Sequence, residues 1–346
     1  MKFSVIIPLY NKAPYVRKAL ESVCAQTYRD YELIIINDGS TDNSAIVADE
    51  YLKTTDGIDY KIINQPNAGV SAARNAGVAL SRAEYIAFLD ADDWWEPTYL
   101  ERMAQLINDY PDAGLYASNY IYYKPCKTHV AVNNVETGYF NYPKAYFEGN
   151  AMPVWTGATM IPRKVLDEMG GFPLGIKLGE DFLLWAKIAL HYPVAFCEEP
   201  LAWYNNDVPA TLRATRNLHH PNNHMLFRME LAFGDGEILN QQHQQLESTT
   251  IPLATTQRAA GERKMPTCQD WKLLIDKLRV NGLLEYWLCN EYHNQAAIEL
   301  KKVDWSQQPD SVKRIYKTPI WILKIKRWVM RVGSIIKQLI IRLMRR

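Results

Sequence analysis

The densest chemistry in the chain is the tetrapeptide Asp90-Ala91-Asp92-Asp93, with three carboxylates in four residues. Crowded anions repel one another and are tolerable together only when solvated or matched by positive charge. Oxygen donors favour a hard divalent cation, Mg2+ or Mn2+. Such a cation, held by one or two carboxylates, can share phosphate oxygens and offset the charge on a departing diphosphate. A solvated turn ahead of Trp94-Trp95 is the plain alternative.

Other polar segments carry weaker signals of the same kind. Asp38, in Asn37-Asp38-Gly39-Ser40, can accept hydrogen bonds from a base or ribose, or close an Asx turn. The run from Asn67 through Gly69 to Asn75 reads as a loop opening a helix, and helix N-termini attract phosphate. Arg74 stands one turn inside that helix, either within reach of a diphosphate or as a paired surface cation. Glu180-Asp181 precedes a helical pattern over Phe182–Leu190, so Asp181 reads from the residues alone as an N-cap. Trp155, Trp185 and Trp203 can offer stacking faces to a sugar or fill the core. The cluster His219-His220-Pro221-Asn222-Asn223-His224 has no Cys or His partner at matching spacing, which favours surface histidines over a metal site.

These residues must be positioned by something, and four β-branched runs supply it. Phe3–Ile7, Glu32–Ile36, Tyr60–Ile63 and Tyr85–Leu89 each read as a buried strand. Helical spacing lies between them, over roughly 14–26, 42–53 and 70–80, with Ser40-Thr41-Asp42 as cap candidates. Strand and helix in alternation predict a parallel α/β sheet, Rossmann-like and flanked by helices. Ligands of such sheets sit beyond the carboxyl ends of the strands. Pro8-Leu9-Tyr10-Asn11, Asn37–Ser40, Gln65–Gly69 and Asp90–Asp93 therefore converge on one site. A dinucleotide oxidoreductase would need G-x-G-x-x-G after its first strand, and Pro8–Ala13 is not that.

Together the four segments resemble family 2 glycosyltransferases of the GT-A fold, and the resemblance spans roughly residues 1–205. It implies that Pro8, Tyr10 and Asp38 contact a nucleobase, with Asn67 and Arg74 at the same nucleotide-sugar edge. It also implies that Asp90 meets the ribose or the metal shell and that Asp92 holds the cation. Gly170-Gly171-Phe172 followed by Gly179-Glu180-Asp181 resembles the acceptor half of the family, which makes Asp181 the candidate catalytic base, with Glu180 and Trp155 on the acceptor side. After Leu201-Ala202-Trp203-Tyr204, where many members carry basic and hydroxyl residues, this chain has Asn205-Asn206-Asp207-Val208-Pro209, so no diphosphate contact carries over there. Processive relatives carry Gln-x-x-Arg-Trp and several spanning helices. Here Lys324 stands in the Gln position before Arg327-Trp328, which favours addition of single sugars.

Composition sets the remaining bounds. In 346 residues, 48% of them apolar, the chain can bury a full core. Five cysteines form no CxxC pair, against a disulfide or zinc scaffold and in favour of a reducing cytoplasm. The formal charge of +1 conceals a basic tail: Lys313–Arg346 holds eleven Lys/Arg and no Asp or Glu, leaving 28 basic against 38 acidic residues upstream. Nucleic acid is not an expected partner of that acidic body. From Ile320 onward Lys324, Arg327, Arg331, Arg342 and Arg345 alternate with Trp321, Ile325, Trp328 and Leu339 in an amphipathic pattern. Such a helix suits an anionic membrane surface, or else packs on the body or a partner. No run reaches the roughly 18 apolar residues of a spanning helix.

The expected organisation is a GT-A domain over 1–215, a linker and small helical extension over 216–312 (loosest at 234–268), and a membrane-associating helix over 313–346. The expected activity is inverting transfer from a nucleotide-diphosphate sugar, with UDP favoured, to a glycan or lipid-linked acceptor at the inner face of the plasma membrane. A non-catalytic nucleotide-sugar-binding or scaffold protein is the competing expectation.

Overall fold

The β-branched runs form β1 (Phe3–Leu9), β2 (Tyr31–Asp38), β3 (Asp59–Gln65) and β4 (Tyr85–Phe88) in a computed structural model that describes residues 2–149, 151–209, 218–234 and 265–327. Helices α1 (Val16–Cys24), α2 (Ser44–Lys53) and α3 (Val70–Leu80) alternate with them. β1 pairs in parallel with both β2 and β4, and β2 with β3. The register sets Leu9 opposite Asn37 and Asp38 opposite Gln65, so the polar strand ends finish side by side.

One expectation fails here. β3 is half-exposed along its length, with no fully buried residue, because it is the outer strand of the sheet and has a neighbour on one side only. The central strands β1 and β2 are buried at every position but Pro8, and each Val or Ile taken out of water there contributes about 1.5–3 kcal/mol. α3 lies unusually close to β1 because a Cβ on Gly77 would stand 2.4 Å from Ile6 Cγ2.

The sheet continues through β5 (Trp94–Trp95), β6 (Leu115–Tyr123), β7 (His129–Val130), β8 (Gly138–Phe140), β9 (Thr159–Pro162) and β10 (Val194–Asn205). Its order is β3-β2-β1-β4-β9-β6-β10-β5, with β7 on β6 and β8 on β10. β9 runs antiparallel between β4 and β6, while β10 is parallel to β6. The sheet is therefore mixed but mainly parallel, flanked by α1–α3, α4 (Tyr99–Asp109), α5 (Tyr142–Glu148), α6 (Arg163–Met169) and α7 (Glu180–His191).

The chain divides into two compact units, Met1–Trp271 and Lys272–Arg346. In the second, helices Leu284–Leu288, His293–Lys301 and Asp310–Lys317 follow the end of helix Cys268–Gly282. Arg279 pairs with Glu299 at 3.2 Å, and Tyr316 packs between Trp287 and Trp305 with ring centroids 5.8 and 5.4 Å away. Residues 320–327 are helical and leave Trp321 64% exposed. The rest of the basic tail, 328–346, and most of the expected loose linker, 235–264, lie outside the described residues. No helix among the described residues is long and apolar enough to cross a membrane.

Candidate active site

The ends of β1, β2 and β3 are tied to one another by side chains. Asn11, with φ at 50°, accepts the Thr41 N–H on its Oδ1 at 2.8 Å, and the Lys12 N–H donates to Ser44 Oγ at 2.7 Å. The buried Asp38 carboxylate accepts from the Ala68 and Gly69 N–H groups, both at 2.9 Å, and from the Gln65 amide at 2.7 Å. The Asn67 amide donates to the Asp38 carbonyl at 2.9 Å. Asp38 thus shapes the loop ahead of α3, and of the roughly four acceptor positions on a carboxylate three are already used. Gly39 is required in this corner: its φ is 71°, and a Cβ would stand 2.8 Å from the Asn67 nitrogen. Tyr10 remains 46% exposed beside the half-buried Pro8.

The three carboxylates of the acidic turn go to three different partners. Asp90 accepts from Arg74 at 2.8 Å, Asp92 from the Lys12 ammonium at 2.5 Å, and Asp93 from the Asn205 N–H at 2.7 Å. Burial, reinforced by the charges of Asp92 and Asp90, pushes the Asp93 carboxyl well above the usual range, so this residue anchors the turn to the end of β10. Burial also raises Asp92, opposed by Lys12. Among the described residues no cluster of three or more His, Cys, Asp or Glu side chains is arranged to hold a metal unaided. Asp92, with Asp90 beside it, fits the other arrangement, one or two carboxylates completed by phosphate oxygens and water.

Arg74 joins this turn to α7. It is 3% exposed and spans Asp90 at 2.8 Å and Glu180 Oε1 at 2.9 Å. Burial alone would lower its pKa, but the charges of Asp90 and Glu180 prevail and hold it above the ordinary value. Phe172 lies under the guanidinium, 5.1 Å from its carbon. Burial and then the Asp181 charge push Glu180 up to about 7, against the pull of Arg74. Asn75 clamps the preceding loop from both sides, donating to the Phe172 carbonyl and accepting its N–H, each at 2.8 Å.

α7 starts two residues earlier than the sequence suggests, with Gly179 rather than Asp181 at its N-cap, so Asp181 lies within the first turn. The Asp181 carboxylate accepts the Thr156 hydroxyl at 2.9 Å and the Phe182 N–H at 2.7 Å. Trp155 is 6% exposed, packed between Tyr120 and Tyr204, and Trp185 is fully buried. Trp203 is half-buried and stacks on Trp94. His224 is buried rather than on the surface: its ring accepts the Leu226 N–H, and burial lowers its pKa to about 4.

Arg74, Asp90, Glu180 and Asp181 are thus brought together, while Pro8, Tyr10, Asp38 and Asn67 line the neighbouring strand ends. Two residues with direct contacts here, Lys12 and Thr156, carry no motif that would single them out; only their tertiary partners do.

Comparisons with known proteins bear on the family and the fold. Residues 4–170 match the pattern described as Glycosyl transferase family 2. Over 149 residues the chain is 39% identical to EpsH of Bacillus subtilis, named as a glycosyltransferase, covering 42% of this chain and 43% of that protein. It is 42% identical over 119 residues to glycosyltransferase GlyA of Streptococcus pneumoniae, covering 34% of this chain and 17% of GlyA. The chain therefore spans less than half the length of these relatives. The structure of residues 1–349 of S. aureus TarS in complex with UDP-GlcNAc superposes with TM-score 0.63 at 16% identity, over 90% of this chain and 83% of that one. The fold is of the GT-A glycosyltransferase type.

Proposed function

We propose that this chain, whose residues 4–170 match the glycosyl transferase family 2 pattern, is an inverting transferase using a nucleotide-diphosphate sugar. The observation that carries the reading is Arg74, one guanidinium joining Asp90 of the acidic turn to Glu180 at the start of α7. A donor at the turn and an acceptor at Asp181 are then neighbours. UDP is the favoured nucleotide, since TarS, of the same fold, has been solved with UDP-GlcNAc and with UDP.

The exposed Tyr10 ring and Pro8 take the base, with Asp38 offering its remaining acceptor position and holding the Asn67 loop beneath it. Asp90 meets the ribose, and Asp92, with Asp90, would hold Mg2+ or Mn2+. When bound, that cation offsets the charge left on the diphosphate. Asp181 accepts the proton of the acceptor hydroxyl, whose oxygen bonds to the anomeric carbon as the carbon–oxygen bond to the diphosphate breaks with its electron pair. Attack from the face opposite the leaving group inverts that carbon, and one carboxylate base suffices. The Thr156 hydroxyl on Oδ2 and the Phe182 N–H on Oδ1 orient the Asp181 carboxylate and leave each oxygen a further acceptor position. Glu180 acts on the acceptor side through Arg74, and Trp155 backs that wall from within the core.

The acceptor is a hydroxyl of a glycan or lipid-linked saccharide in cell-surface polysaccharide synthesis. The exposed Trp321 and the cations of 313–346 would dock the protein on the anionic inner face of the plasma membrane. Calorimetry with UDP, with and without Mn2+, tests the donor side: binding strengthened by Mn2+ is expected, and tight binding indifferent to metal would remove the role given to Asp92.

A further inference from the structure

Two helices of the second unit, His293–Lys301 and Asp310–Lys317, repeat one short pattern. Ala297, Leu300 and Lys301 stand at spacings of three and four on the first, and Lys313, Tyr316 and Lys317 do so on the second. Each triple therefore projects from one side of its helix. The two faces line a cavity of about 430 Å3, which Trp287 and Trp305 complete. That volume lies within the roughly 300–1,000 Å3 of small-molecule sites. The Tyr316 hydroxyl donates to the Val280 carbonyl at 2.6 Å, the Trp305 indole N–H donates to the Leu300 carbonyl at 3.3 Å, and the Trp287 indole nitrogen is buried. The rings thus give the cavity carbon surface and no group to read the edge of a base or a sugar.

Lysines supply the polarity. Lys301 and Lys317 are exposed, and Lys313 is 27% exposed and 3.6 Å from the exposed Asp310. Long cationic side chains lay their methylene stems along apolar surface and keep the ammonium in water. We infer that this cavity is a lipid site: one alkyl chain of a lipid phosphate fills it, and the ammonium groups of Lys301, Lys313 and Lys317 hold the phosphate. A nucleotide placed here would leave its base edge unpaired, which is costly in an apolar cavity. A neutral lipid would leave the cations without an anion. The stretch 328–346 carries five Lys/Arg and no Asp or Glu, the wrong charge to cover three lysines. The site shares no residue with the acidic turn or with Asp181, so it stands apart from the transfer reaction. It gives the second unit a particular lipid headgroup to recognise, beyond the general attraction of basic residues to an anionic surface.

The test uses the full chain and monomeric alkyl phosphates, with binding followed by calorimetry. Octyl, decyl and dodecyl phosphate should bind one per chain, and each two added methylenes should strengthen binding on the order of tenfold until the cavity is filled. Inorganic phosphate and decyltrimethylammonium should show no binding at the same concentrations. Ala297→Phe sets a ring in the cavity and should weaken decyl phosphate by roughly tenfold, the equivalent of displacing about two methylenes. The double variant Lys301→Ala/Lys317→Ala alters two exposed positions, leaves the packing in place, and should weaken binding while flattening its dependence on salt. It decides the matter should Ala297→Phe fail to fold. Affinity unchanged in the double variant, or indifferent to chain length in wild type, would overturn the inference. UDP binding that the double variant loses would make the cavity a nucleotide site instead and overturn it equally. Decyl phosphate bound as expected by a chain that does not bind UDP would leave this site standing and contradict the transfer reading alone.

Discussion

Arg74 and Glu180 lie 106 residues apart in the chain and 2.9 Å apart in the fold. The same guanidinium reaches Asp90 at 2.8 Å while its Nε is buried without a hydrogen-bond partner. The fork is thus spent on two carboxylates from different elements, and a single cation holds the turn and α7 in register.

Removing that cation should be costly. Arg74→Ala leaves Asp90 and Glu180 facing one another without compensation, and breaking a buried pair in this way typically costs about 3–5 kcal/mol. Arg74→Lys should recover only part of this, because an ammonium lacks the fork that spans both partners. Urea denaturation of the three proteins measures it, and a loss below about 1 kcal/mol for the alanine variant would contradict the bridging role.

The raised Glu180 carboxyl gives a pH signature with a definite sign. Its folded pKa, about 7, lies above the ordinary 4.5, so the folded state holds the proton more tightly than the unfolded chain. The corresponding stability is fully present below about 4.5 and is lost as pH rises through about 7. The melting temperature of wild type relative to Glu180→Gln should therefore fall between pH 5 and 8. A difference that stays level or rises would contradict the assignment.

Asp38 should matter to folding as well as to nucleotide binding. Asp38→Ala removes the charged acceptor of the Ala68 and Gly69 N–H groups, and although these residues are exposed, a hydrogen bond to a charged group contributes about 1.5–3 kcal/mol. The variant should lose stability in denaturation and also lose UDP affinity through the displaced Asn67 loop. Unchanged stability would show that the loop does not depend on this carboxylate.

The membrane reading is tested by truncation after Arg327, which removes five Lys/Arg while leaving Tyr316 and its packing in place. With each surface cation contributing about 1 kcal/mol, the shortened protein should leave vesicles containing phosphatidylserine. Undiminished binding would assign the tail to another task.

The site was legible in the sequence to the extent that short-range pattern encodes it. Val5-Ile6-Ile7 and Leu33–Ile36 are buried on both faces, so their unbroken apolar runs announce central strands, and the polar residues following them mark one edge. β3 misled because Ile62 and Ile63 look alike whether a strand has one neighbour or two. Arg74 could not be distinguished from a surface cation, nor Lys12 noticed, because Glu180 lies 106 residues from the first and Asp92 lies 80 from the second. Trp155 offered a stacking face on paper, but the rings that enclose it, Tyr120 and Tyr204, come from β6 and β10, which are distant from it in the sequence and meet it only in the fold. Thr156 followed Trp155 unremarked, and only the approach of α7 makes its hydroxyl a partner of Asp181.

The most direct measurement is UDP release from a panel of UDP-sugars with an acceptor saccharide, comparing wild type with Asp181→Asn. General-base catalysis is worth about 10²–10⁴-fold, so the variant should lose at least 100-fold in turnover while its affinity for UDP stays within a few-fold of wild type. Equal turnover by the two proteins would contradict Asp181 as the base that prepares the acceptor hydroxyl.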